Sequence, residues 1–145
     1  MELNKIPFGN QTVTLYNKFT FLNQFNKEQD GWTSYVLHNC LFKKAQETKV
    51  SSNVSLQGDF YVVKAPNNDD YLPYRQWVET TSVGDKFTVQ DGDVLVLGEL
   101  VAEIAEGSTP SIDLKDLTDK MFTAKTAQVR VSPELERTSH FYWAG

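Results

Sequence analysis

The chain is poor in the residues that usually carry chemistry: it has one cysteine and two histidines, and no apolar run approaches the roughly 20 residues of a membrane helix. Each shortage removes a class of protein. A lone Cys40 forms no internal disulfide, so packing must hold the fold, which suits a reducing compartment. One cysteine and two histidines fall short of the about four ligands of a structural zinc site. "MELNKIPFGN" lacks the apolar centre of a signal peptide, and the reading is of a soluble chain of cytoplasmic origin. The G-x-S-x-G elbow, the phosphate-binding Gly loop, H-E-x-x-H and the dinucleotide fingerprint do not occur. No carboxylate pair is marked out by spacing as general acid and base. The expectation is a protein that is not an enzyme, with no catalytic residue, no metal and no cofactor.

Basic charge is also short. Lys and Arg number 14 against 19 Asp and Glu, a net charge of −5. A protein whose main task is to coat nucleic acid needs clustered cations to neutralise phosphates. An acidic lining has another use, since it repels DNA and lets it slide past. "YNKF", "LFKK" and "YRQW" interleave rings with cations in fragments only, so a stand-alone oligonucleotide-binding barrel remains as an alternative.

Aromatic and apolar residues are plentiful. At 145 residues, 40% hydrophobic and 12% aromatic, the chain reads as one domain over residues 1–145 with a core built largely of rings. In "TVTLYNKFTFL", Thr12–Leu22, Val13, Leu15, Phe19 and Phe21 alternate with polar residues, which predicts a half-buried strand. "FNKEQDG" reads as a polar turn ending at Asp30 and Gly31, and "WTSYVLHNCLFKKAQ" as the returning strand of an antiparallel hairpin. "FYVVK", Phe60–Lys64, predicts a third core strand. Ala65–Trp77 has two prolines and a block of Asn and Asp, and predicts a long aperiodic loop.

Asp91-Gly92 lies between Phe87/Val89 and the run Val94–Leu97, the signature of a two-residue hairpin turn. Thr109-Pro110 is placed to start a helix through Leu114, Leu117 and Met121, about two to three turns long. Ala127–Val131 and "SHFYW" supply the last strands. The fold class expected is mainly β: a small β-barrel or sandwich of six or seven antiparallel strands, one short helix and long loops.

Two local patterns invite a ligand reading. His38 and Cys40, two apart on a predicted strand, share one face and suggest a metal or a thiol–imidazole pair; a buried small Cys40 and an ordinary strand His38 explain them better. "NNDD" (Asn67–Asp70) and "QDGD" (Gln90–Asp93) have oxygen ligands but not the spacing of a calcium loop, and turn chemistry accounts for both. The apolar end "SHFYWAG" raises a separate question. Phe141, Tyr142 and Trp143 are expected to alternate on a final strand, two rings inward and one outward, closing a sheet edge or docking a neighbour.

Taken in order, "VTLYNKF", "WTSYVLHNCLF", "FTVQDGDVLVLGE" and "SHFYWAG" resemble the small minor capsid, or head–tail connector, proteins of tailed bacteriophages and prophages of Gram-positive bacteria. The resemblance spans most of the chain. It implies a structural virion protein of the neck, a head-completion or stopper ring assembled in the host cytoplasm, with a tail terminator or tail completion protein as the alternative. The implied partners are further copies of the chain in a ring, usually a hexamer, with portal and adaptor proteins above and tail terminator or tail tube proteins below. The ring encloses viral DNA without reading its sequence and touches no membrane. Within that reading Asn67, Asn68, Asp69, Asp70 and Tyr71 are the expected mobile, channel-facing loop, with Asp69 and Asp70 forming an acidic girdle. The first hairpin, Ala65–Trp77 and the two termini are the candidate arms.

Overall fold

A computed structural model of the chain describes residues 9–51, 54–80, 85–100, 102–105, 107–130 and 140–145. The elements in order are β1 (Gln11–Leu22), β2 (Glu28–Ser51), β3 (Val54–Pro66), α1 (Tyr74–Val78), β4 (Val94–Leu97), α2 (Pro110–Asp113), β5 (Met121–Thr123), β6 (Thr126–Arg130) and β7 (His140–Ala144). The strands form one antiparallel sheet of seven, in the order β5-β4-β1-β2-β3-β7-β6. The fold is mainly β, as the alternating pattern requires.

The 24-residue β2 organises the sheet. Its first half, Glu28 to Cys40, pairs with β1, and its second half, Leu41 to Ser51, pairs with β3. Between them the register slips, so that His38 and Asn39 stand opposite the single residue Thr12. Asn39 adopts a φ of 60°, a left-handed conformation that asparagine tolerates better than most residues. Such a bulge bends a strand. The bend lets one continuous strand serve two half-sheets, β5-β4-β1-β2 and β2-β3-β7-β6, whose inner faces share a core. Val13, Leu15, Leu37, Leu95 and Phe122 from the first half meet Phe42, Val63, Phe141 and Trp143 from the second.

The sheet is not closed into a barrel, contrary to that part of the expectation. No ladder joins β5 to β6 at the two ends. Yet only Ala124 and Lys125 separate them in sequence, so the chain itself runs from one edge to the other. Backbone bonds fix this corner: Gly92 N donates to Ala124 O, Ala124 N to Asp93 O and Lys125 N to Ala144 O, all at 2.7–2.9 Å. Curling by a covalent corner takes the place of a closing ladder.

The first half-sheet is covered on its outer face too. Thr14 Oγ1 donates to Gly98 O and accepts from Leu100 N, and Tyr16 donates to Ala102 O. These bonds strap the segment after β4 across β1, burying Tyr16, Val94, Val96 and Leu114 against Leu100, Ala102 and Ile104. Hence Val13 to Asn17 are all buried, and β1 is half-buried only beyond them.

Other local expectations change as well. The β1–β2 turn spans Asn23 to Lys27 and not the whole of "FNKEQDG", because Asn26 takes the left-handed position at φ 60° and Asn23 Oδ1 caps Phe25 N and Lys27 N. Asp30 and Gly31 lie within β2. Asp91-Gly92 does make a turn, with Gly92 at φ 93°, but no hairpin follows, since β4 takes β1 and β5 as its neighbours. Residues before the turn go elsewhere: Phe87 pairs with Tyr71 and Thr88 N donates to Asn17 Oδ1.

The expected helix after Thr109 is a single turn. Leu114 is buried beneath it, while Leu117 is 59% exposed and Met121 has entered β5, so no helical stripe exists to extend it. A second short helix, α1, forms inside the supposedly aperiodic stretch; Trp77 anchors it, fully buried, with Nε1 donating to Lys86 O. Ala127 to Arg130 lie in β6 and His140 to Trp143 in β7; Val131 and Ser139 lie outside the described residues. Among the described residues no helix is long and apolar enough to cross a membrane.

Candidate functional site

The segment Asn67 to Tyr71 leaves the end of β3 and crosses toward β2. Asn68 Oδ1 accepts from Asp70 N, an Asx turn that sets the bend. Asp70 is engaged through both carboxylate oxygens: Tyr35 Oη donates to its Oδ2 in a short bond, and Lys86 Nζ lies 3.3 Å from its Oδ1. Tyr71 packs its ring on Phe87 and Phe141, with burial raising its hydroxyl pKa. The segment is therefore fastened to the domain at its C-terminal end, and Asp69 is exposed. The ion pair is half-exposed and stabilises little, about 0–1 kcal/mol.

The terminal rings divide by strand alternation. Phe141 and Trp143 are buried at 1% and 0% exposure, and Tyr142 faces outward under the Arg130 guanidinium, 4.1 Å from its ring centroid. β7 is not an edge strand, because β6 flanks it on the outside. Trp143 also has a polar task. Its Nε1 donates to Asp93 Oδ2 at 2.9 Å, alongside Gln90 N, while Asp93 Oδ1 accepts from Asn17 Nδ2. Asn17 in turn holds the backbone of Thr88 from both sides. This buried polar knot ties β1, the turn before β4 and β7 together.

Sequence reasoning took Asp93 for turn chemistry and passed over Asn17, whose polar character at an inward position of β1 was the available signal. Burial pushes the Asp93 carboxyl up to about 7, against the pull of its hydrogen bonds from Gln90, Trp143 and Asn17.

His38 and Cys40 do not share a face. The bulge at Asn39 breaks the alternation between them, leaving His38 exposed and Cys40 fully buried. Burial raises the Cys40 thiol to about 12, so it is neither a thiolate nor an accessible nucleophile at neutral pH. Among the described residues, no three His, Cys, Asp or Glu side chains are grouped to hold a metal ion.

What the domain presents outward is apolar relief. At the β1–β2 turn Leu22 is 65% and Phe25 72% exposed. Farther back on the same hairpin Trp32, paired with Lys18, stands between two shallow clefts on the strapped face. One is about 260 Å³, with Lys18, Val94, Pro110 and Ser111 among its walls, and the other about 280 Å³, with Tyr16, Ala102 and Ile104. Trp32 Nε1 is buried without an acceptor among the described residues.

No curated protein and no solved structure shows significant similarity to the chain. Residues 8–143 match a family of unknown function, DUF6751, and the chain belongs to that family.

Proposed function

We propose that the protein is a structural subunit of the neck of a tailed phage, a head-completion or stopper component that assembles as a ring between portal–adaptor and tail and gates the DNA passage. One observation carries the reading: a single packed core sends out two paired-strand projections. The β1–β2 hairpin ends in exposed Leu22 and Phe25, and the β2–β3 ladder continues from Ala45↔Phe60 to Ser51↔Val54, past the β3–β7 pairing that stops at Val62. At about 3.3 Å per residue the second projection reaches roughly 20 Å. A two-stranded ribbon is marginal alone in water, and a strand edge without a partner invites a neighbouring strand. Rigid cores with such arms suit proteins that must touch different rings above, below and beside them.

Asp69 on its fastened loop supplies the acid that the channel reading needs, since like charge repeated around a ring repels DNA and favours passage. The order of sequence segments that resembles connector proteins adds to this support. Light scattering and particle imaging test the proposal, on the protein alone and mixed with portal–adaptor and tail components. A ring, formed alone or on one of those partners, is the expected result. A monomer that ignores them and instead binds single-stranded DNA with steep salt dependence would replace the proposal with the oligonucleotide-binding alternative. Incorporation at the tail end only would assign a tail terminator.

A further inference from the structure

Phe25 is displayed by a well-made turn. Asn23 N donates to Lys27 O, Asn26 N to Asn23 O, and Asn23 Oδ1 accepts from both Phe25 N and Lys27 N. A ring held 72% exposed by this much hydrogen bonding is a preformed knob, since little order remains to be lost when it docks. Exposed Leu22 beside it enlarges the apolar tip.

The same chain carries a matching hollow. The 260 Å³ cleft at Trp32 is smaller than the roughly 300–1,000 Å³ of ordinary ligand sites. It suits one side chain better than a cofactor or substrate. Its walls include Val94 and Pro110, and Trp32 Nε1 is a buried donor with no acceptor among the described residues. Phe25 cannot fill the cleft of its own chain. The Lys18↔Trp32 pair lies four ladder steps from Leu22↔Glu28, roughly 13 Å, and folding the tip back would break the intervening pairs.

We infer that the Trp32 cleft receives the Phe25 tip of a second copy of this chain. Knob and hollow are different patches, so the contact is heterologous and repeats from copy to copy, closing into a ring where the rotation permits. The inference rests on the self-assembly in the proposed function and names the surface that performs it.

The test uses the full chain. Phe25→Ser and Trp32→Phe are compared with wild type for mass against concentration by light scattering, and for thermal unfolding. A third variant, Gln24→Cys with Ser111→Cys, keeps the Phe25 ring and is oxidised and examined for intermolecular disulfides; Gln24 is exposed in the same turn, and Cys40 is buried and stays out of the reaction. The expected result is that Phe25→Ser raises the concentration for half-assembly by about tenfold or more, with an unchanged melting temperature, and that the cysteine pair cross-links between copies. Trp32→Phe, which removes only the donor and part of the wall, should weaken assembly as well.

Wild-type assembly that persists in both Phe25→Ser and Trp32→Phe overturns this contact and leaves the neck-ring reading standing. A wild-type chain that stays monomeric, with the cysteine variant uncross-linked, yet joins neck components through Phe25, overturns the second copy as occupant. A wild-type chain that neither self-associates nor joins them overturns both.

Discussion

Trp143 Nε1 and Asp93 Oδ2 meet at 2.9 Å across 50 residues of sequence, both groups fully buried. The bond joins β7 to the turn that starts β4, and so links the two half-sheets at the corner where Ala124 and Lys125 pass between them. The indole that looks like one member of a terminal apolar cluster is also a donor to the buried carboxylate of the knot.

Asp93 gives the fold a particular response to pH. Its folded-state pKa is raised from 3.8 to about 7, chiefly by burial, so between those values the folded protein holds a proton that the unfolded chain has released. More protons bound in the folded state means that stability falls as pH rises. The contribution is fully present below pH 3.8 and is lost as the pH passes 7, with a slope of up to about 1.4 kcal/mol per pH unit. Urea unfolding from pH 4.5 to 7.5 should show this slope in the wild type and a flatter one in Asp93→Asn. Equal slopes in the two proteins would assign the dependence to other groups.

Phe87 is a fully buried ring at the meeting point of three others. It has no exposed surface and lies 4.6 Å from Tyr35, 5.3 Å edge-on from Phe141 and 6.1 Å from Tyr71 by ring centroids. Phe87→Ala should destabilise by about 3–5 kcal/mol. Phe87→Leu should lose distinctly less, and denaturant titrations of the pair check the difference. An alanine loss under about 1 kcal/mol would mean that the pocket collapses around the gap.

Two glycines matter for different reasons. A Cβ at Gly145 would lie 2.3 Å from the Thr123 carbonyl oxygen and 2.9 Å from Lys125 N, both backbone atoms of the corner. Gly145→Ala should therefore push on the β5–β6 turn and lower stability by about 1–3 kcal/mol. At Gly92 nothing lies within 4 Å of such a Cβ, but φ is +93°. Gly92→Ala should cost about 1–2 kcal/mol through backbone strain alone. Thermal melts would separate the two: Gly92→Asn should recover part of the loss, whereas Gly145→Asn should not.

Cys40 offers a simple probe of the bend in β2. With its thiol fully buried and raised to about 12, labelling by iodoacetamide at pH 8 should wait on unfolding and accelerate sharply near the urea midpoint. Fast labelling of the native protein would show that the strand opens at Asn39.

Strand positions were readable because alternation is local: β1, the middle of β2 and β7 each carry a two-residue period that any half-buried strand must have. Asp91-Gly92 was readable as a turn from its residue types, whereas the first turn reads as Phe25–Gly31 in the sequence and lies at Asn23–Lys27 in the structure. The α2 helix was overestimated because Leu114, Leu117 and Met121 have helical spacing, while what decides their fate is the strap against β1. The hairpin expected at Asp91-Gly92 failed because turn residues specify a reversal and not the partner that follows. His38 and Cys40 parted because one left-handed Asn39 shifts the alternation by a residue. Of the candidate loop, the acid and Asn were plain in the sequence, but its fastening by Tyr35, Lys86 and Phe87 depends on residues 16 to 35 positions away.

The residues by themselves determined the strand class, the inward and outward rings of the last strand, and the absence of cysteine crosslinks within the chain. These follow from periodicity and composition, which act over a few neighbours. Only the tertiary structure decided that one bent strand serves two half-sheets, that a two-residue corner joins their far edges, that Asn17, Asp93 and Trp143 form a polar knot, and that Phe25 stands outside while Trp32 lines a hollow. Each of these depends on which distant segments share a surface, and burial and hydrogen-bond satisfaction are settled only when the whole chain is in place.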